Sequence, residues 1–103
     1  MSPDLSLARE YKRRVEGAFN GRVAKVVLYG SRARGDARQD SDWDIAIFLT
    51  GEPSSDDLNR LADLGTDLLY ETGQFIQPLP LAGRRLEEDS YLLRAIRTEG
   101  ISL

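Results

Sequence analysis

The stretch Lys25-Val26-Val27-Leu28-Tyr29-Gly30-Ser31-Arg32-Ala33-Arg34-Gly35-Asp36-Ala37-Arg38-Gln39-Asp40-Ser41-Asp42-Trp43-Asp44-Ile45-Ala46-Ile47-Phe48-Leu49 decides the reading of this chain. Two apolar runs enclose a Gly-Ser pair, ten further residues and an Asp-x-Asp. Side chains alternate between faces along a strand. Asp42 and Asp44 therefore share one face with Ala46 and Phe48, and Trp43, Ile45, Ile47 and Leu49 share the other. The second face is wholly apolar and should pack on helices, while the carboxylate face should open to a site. A Gly-Ser turn directly after a buried strand can offer backbone N–H groups and a hydroxyl to a phosphate. Asp-x-Asp alone is usually a solvated strand start, and Gly-Ser alone an ordinary turn. On adjacent strands they bring phosphate donors beside hard oxygen ligands, the parts of a magnesium–nucleotide site.

Working outward, Val23 to Tyr29 is β-branched and nearly all apolar, and reads as a buried strand. Before it, Leu7, Ala8, Tyr11, Val15, Ala18 and Phe19 recur at helical spacing. This predicts a helix from roughly Leu5 to Asn20, with Ser2 as its cap, Pro3 in its first turn and Gly21 as its stop. The loop from Gly30 to Ser41 has room for one helical turn after Ser31. Past the second strand, Ser54 or Ser55 caps another helix, with Asp56 and Asp57 in its first turn. Leu58, Leu61, Ala62, Leu68 and Leu69 should form its buried stripe, and Gly73 its end. Gln74 to Leu81 reads as a third strand, which Pro78 and Pro80 confine to an edge. A last helix runs from about Ser90 to Glu99, with Leu92, Leu93 and Ile96 inward and Gly100 as its cap. Tyr11, Tyr70 and Tyr91 read as packing residues, and Trp43 as core. No repeat, low-complexity tract or second domain is visible, so one domain spanning 1–103 is expected.

Composition narrows the chemistry. The chain has 103 residues, 41% hydrophobic and 30% charged, which is ordinary for a globular domain. A net charge of −3 and no basic tail argue against general DNA binding. Arg32, Arg34 and Arg38 nonetheless cluster in the signature loop. Phosphate or partner contacts are one reading for Arg32 and Arg34; ion pairs with Asp36 and Asp40 are the other. With no Cys and no His, Cys/His zinc sites, thiol catalysis and histidine acid–base work are excluded. The apolar runs are too short to span a membrane, and Met1-Ser2-Pro3-Asp4 lacks signal-peptide character. A cytoplasmic location is the expectation.

The stretch Val26 to Leu49 resembles the minimal nucleotidyltransferases of the DNA polymerase beta superfamily. It is most like the small antitoxin-type members encoded beside a helical ribonuclease toxin. Their pattern is Gly-Ser, often followed by Arg-x-Arg-Gly, then Ser-Asp-x-Asp and an apolar strand. Here it reads Gly30-Ser31-Arg32-Ala33-Arg34-Gly35 and Ser41-Asp42-Trp43-Asp44-Ile45. The end of the chain, Leu92 to Ile101, is also similar to theirs. The resemblance implies an α+β fold, a small mixed β-sheet with helices packed mainly on one face, as in a polymerase beta palm. It implies that Asp42 and Asp44 are catalytic and hold Mg2+, with Mn2+ as a substitute. Gly30, Ser31 and Arg32 would contact a nucleoside triphosphate, with ATP as substrate. A hydroxyl would attack the α-phosphate in line, and pyrophosphate would leave.

One departure from the family pattern stands out. Family members commonly carry a third carboxylate on a neighbouring strand, and Gly73 to Leu81 holds no Asp or Glu. Gln77 comes nearest to the expected place; an amide can bind a metal but cannot act as a base. Glu71, just upstream at a helix end, is the other accessory candidate. Three functions follow: Mg-dependent AMP transfer from ATP to a hydroxyl on a partner toxin; a non-catalytic nucleotide-binding antitoxin acting by stoichiometric binding; and a small transferase acting on a metabolite or antibiotic. No acceptor-gripping domain is expected beyond the last helix. The acceptor would then be a protein with its own grip, or a homodimer or separate chain would complete the site.

Overall fold

The computed structural model describes residues 4–103. The capping expected of Ser2 and Pro3 lies outside the described residues. The elements in chain order are α1 (Ser6–Phe19), β1 (Val23–Tyr29), the single turn α2 (Ser31–Arg34), β2 (Trp43–Leu49), α3 (Ser55–Thr72), β3 (Ile76–Ala82), a 3-10 turn (Gly83–Glu87), α4 (Tyr91–Glu99) and β4 (Ile101–Ser102). Helix ends follow local chemistry. Asp4 accepts a hydrogen bond from the Ser6 N–H at 2.9 Å at the start of α1, and Asn20 closes that helix in the left-handed conformation, φ 45°. Ser54 and Asp57 form a reciprocal capping box at the start of α3.

The strands form one mixed sheet in the order β3-β2-β1-β4. β1 runs antiparallel to β2 and to β4, and β2 runs parallel to β3 through the α3 crossover. The edge position expected for the proline-bearing strand is observed. Pro78 and Pro80 lie opposite Ile45 and Ile47, and alternate residues of a parallel strand donate to the same side. Both prolines therefore turn their donor-less nitrogens away from β2, and the ladder loses nothing.

α1 and α3 cover one face of the sheet. Tyr11, Val15, Phe19, Leu61 and Leu68 pack there on Val26, Leu28, Trp43, Ile45, Ile47 and Leu49. The Tyr11 hydroxyl donates to the Leu61 carbonyl at 2.8 Å within this layer. Of the stripe expected on α3, Leu61 and Leu68 are buried, and Asp57 and Gly65 complete the inward line. Leu58 and Ala62 face outward, and Leu69 is half-buried. Gly65 sets the choice: a Cβ there would already touch Ile76 and the Tyr11 ring, so the helix approaches the sheet along this line. Tyr70 and Tyr91, expected to pack, are 85% and 88% exposed. Each sits two positions, about 200° of helical turn, from the inward Leu68 or Leu93. Leu92 is likewise outward, leaving Leu93 and Ile96 as the buried pair of α4.

α4 corrects a second expectation. The face carrying the aspartates is open at one end only. Leu93 and Ile96 cover Val27, Ala46, Phe48 and Leu81 on that face. Ala46 and Phe48 are apolar and would otherwise face water, so burying them drives the packing. Two long helices on one face and one short helix on the other remain a sheet with helices mainly on one face. Among the described residues no helix is long and apolar enough to cross a membrane.

Candidate active site

The register of the sheet builds the site. Asp44 lies opposite Tyr29 of β1 and opposite Gln77 of β3, so these three side chains share the open end of one face. Asp42 is exposed, one residue before β2. Gln77 is exposed and in register with Asp44, the place expected for it. Among the described residues no three His, Cys, Asp or Glu side chains gather closely enough to hold a metal. The oxygen ligands the site offers are two carboxylates and one amide carbonyl.

Gly30 joins the turn to the carboxylates. Its φ of 73° and ψ of −157° belong to glycine. A Cβ at this position would lie inside 3.0 Å of Oδ2 of Asp44. The backbone thus sits directly against the second aspartate because no side chain intervenes. The α2 turn follows at once. Its first N–H groups, on Ser31 and Arg32, have no preceding helical carbonyl to reach. They and the Ser31 hydroxyl follow directly on the glycine whose backbone lies against the Asp44 carboxylate.

Electrostatics mark this corner. Burial, and then the charge of Asp42, push the Asp44 carboxyl above its ordinary value, with Arg34 opposing them. Tyr29 is pushed up by burial and by the Asp44 charge. Arg34 itself is held by Asp36 and Glu99, both at 3.2 Å, so it is only partly spent on the aspartates. Among the described residues neither Asp42 nor Asp44 enters an ion pair. Adjacent hard carboxylates without a paired cation, backed by a backbone that a Cβ would obstruct, fit a divalent metal that keeps its other positions for phosphate and water.

Two candidates fall elsewhere. Both oxygens of Glu71 are taken by Arg14, at 2.8 and 3.0 Å. That pair ties α3 to α1 on the opposite face of the sheet and holds the Glu71 carboxyl below its ordinary value. Glu71 does not join the site. Arg32 pairs with neither Asp36 nor Asp40. Its Nε and Nη2 donate to the Ser41 carbonyl at 3.2 and 2.9 Å, and Nη2 also to the Gln39 carbonyl at 3.1 Å. Its guanidinium lies 4.5 Å from the centre of the Trp43 ring. Of the alternatives for Arg34, the ion pair with Asp36 forms. Sequence reasoning missed Tyr29 and Glu99. Antiparallel pairing across the signature loop could have placed Tyr29 beside Asp44; no local signal leads to Glu99.

A palm-like sheet that presents a Gly-Ser turn against an Asp-x-Asp defines a nucleotidyltransferase domain. The chain belongs to the family described as Polymerase beta, Nucleotidyltransferase, whose profile matches residues 16–103, and within it to the minimal nucleotidyltransferase type. A protein of Methanocaldococcus jannaschii, provisionally named protein adenylyltransferase MJ0604, is 34% identical over 71 residues, covering 69% of this chain and 66% of that one. This chain therefore spans slightly under two thirds of that relative. A solved structure provisionally described as a minimal nucleotidyltransferase is 27% identical, with TM-score 0.61, covering 97% of this chain and 96% of that one. A toxin–antitoxin crystal structure with AMP-PNP shares the fold at 18% identity and TM-score 0.64, covering 90% of this chain and 69% of that one.

Proposed function

We propose that this chain transfers AMP from ATP to a hydroxyl on a partner protein, a helical ribonuclease-type toxin, and so acts as its antitoxin. The observation that carries this reading is the close approach of the Gly30 backbone to the Asp44 carboxylate, which supports a turn that binds phosphate beside a carboxylate that binds metal. Asp42 and Asp44 would hold Mg2+, or Mn2+ in its place. The ion, when bound, neutralises triphosphate charge and favours departure of pyrophosphate. Ser31 and the first N–H groups of α2 orient the β- and γ-phosphates. Little more than positioning and charge neutralisation is required of the protein. The name of the Methanocaldococcus relative supports protein adenylylation, and the toxin–antitoxin neighbour supports a toxin as acceptor.

Gln77 favours a second reading. It occupies the register position beside Asp44 where a third carboxylate would assist deprotonation of the attacking hydroxyl, and an amide cannot take that proton. A non-catalytic antitoxin that binds nucleotide and partner stoichiometrically would need no base there. Two measurements test both readings. Calorimetry should show ATP binding that Mg2+ strengthens in the wild type, and Asp42→Asn/Asp44→Asn should abolish that strengthening. ATP labelled at the α-phosphate should pass its label to the co-purified partner. Equal ATP binding by both proteins refutes the metal role; tight partner binding without label transfer selects the second reading.

A further inference from the structure

We propose that Arg32 is a positioning residue that locks the loop carrying Asp42, and that it is not a phosphate ligand. The proposal rests on the reading of Asp42 and Asp44 as metal ligands. Asp42 is exposed and lies outside β2, so the sheet ladder does not hold it. The carbonyl of Ser41 belongs to the peptide group that contains the Asp42 nitrogen. Two N–H groups of Arg32 fix that carbonyl, and one of them also reaches Gln39. The same guanidinium lies over the ring of Trp43, the next residue, whose Nε1 donates to Oε1 of Gln74 at 2.7 Å. Arg32 therefore grips the chain immediately before and immediately after Asp42.

Location separates the two roles. Trp43 lies on the α1–α3 face of β2, and Asp44 lies on the other, beside Tyr29 and Gln77. A guanidinium stacked on Trp43 points away from the corner where a triphosphate meets Asp44. Arginine suits this task and lysine does not. Its planar fork supplies several donors in fixed geometry and a flat surface for the indole, whereas an ammonium is a point charge. Removing the guanidinium also opens the adjacent hollow of about 360 Å³, which Arg32, Trp43 and Gln74 help to line, and exposes Trp43, a residue now only 6% accessible.

Trp43 is the single tryptophan, so its fluorescence reports the lock directly. The test compares wild type, Arg32→Ala and Arg32→Lys by three readouts: Trp43 emission, Mn2+ affinity by electron paramagnetic resonance, and ATP affinity without metal. Both variants should shift Trp43 emission to the red and weaken Mn2+ binding about 10–100-fold, the usual effect of losing a group that orients metal ligands. Metal-free ATP affinity should stay unchanged. Arg32→Lys keeps the charge and serves if Arg32→Ala does not fold. Loss of metal-free ATP affinity with unshifted emission would make Arg32 a phosphate ligand and overturn the proposal. Red-shifted emission with wild-type Mn2+ affinity would reduce the lock to a packing contact and also overturn it. A wild type that binds no Mn2+ refutes the metal reading itself, and this inference with it.

Discussion

Replacing Gly30 with alanine separates two costs that the structure places at one atom. The backbone there has φ 73° and ψ −157°, a region essentially closed to residues with a Cβ. Forcing alanine into it costs about 1–3 kcal/mol. In a domain of this size each kcal/mol lowers Tm by about 4–8 °C, so a fall of roughly 5–20 °C is expected. The second cost falls on function. The new Cβ meets Oδ2 of Asp44, and the carboxylate, the free end of a side chain, must swing away. Mn2+ affinity should therefore fall by more than the stability loss explains. Gly73→Ala is the control: its φ is 75°, but nothing lies within 4 Å of a Cβ there. It should cost about 1–2 kcal/mol of left-handed strain and leave Mn2+ binding intact. In an Asp44→Ala background the collision disappears, so Gly30→Ala should cost less than in the wild type. Circular-dichroism melts and Mn2+ titrations of the wild type and the four variants give the answer. Unchanged Tm and unchanged Mn2+ affinity in Gly30→Ala would refute the argument.

Asp44→Asn should raise the Tm of the metal-free protein at neutral pH. Burial lifts the Asp44 carboxyl above 3.8, so its ionised form costs stability at high pH, and the gain should vanish below 3.8; thermal melts across pH check the sign. Asp57 should behave oppositely. The Arg22 guanidinium, at 2.9 and 3.0 Å, holds its carboxyl well below 3.8, so Asp57→Asn should lower Tm above that pH, and the difference should close only in stronger acid. Gln77→Asp should raise label transfer from ATP to the partner, because general-base assistance is worth about 10²–10⁴-fold. A wild type whose rate is matched by Gln77→Ala would place the base elsewhere.

The strands on either side of the signature loop were legible because each is a short apolar run bounded by turn residues, and period two then assigned Asp42 and Asp44 to one face. Gln77 was reached through the family's place for a third carboxylate; its register beside Asp44 depends on how β3 pairs with β2, which alternation within one strand does not determine. The helical stripes were less legible. Leu58, Ala62 and Tyr70 carry helix-compatible apolar surface, but which line of α3 faces inward depends on Gly65 admitting Tyr11 and Ile76, a tertiary fit. Arginine roles were least legible of all. Their long side chains choose among many carbonyls and carboxylates, and the choices of Arg32 for Ser41, Arg14 for Glu71 and Arg34 for Glu99 rest on chain segments brought together only by folding.

The outer side of β3 limits how this molecule can meet others. At Pro78 and Pro80 that side offers carbonyl oxygens and no donors, and a neighbouring strand needs both to form a ladder. Two copies cannot zip together along this border into one continuous sheet, nor can an extended peptide be stitched onto it. A protein docking beside Gln77 would have to be recognised without adding a strand to this border.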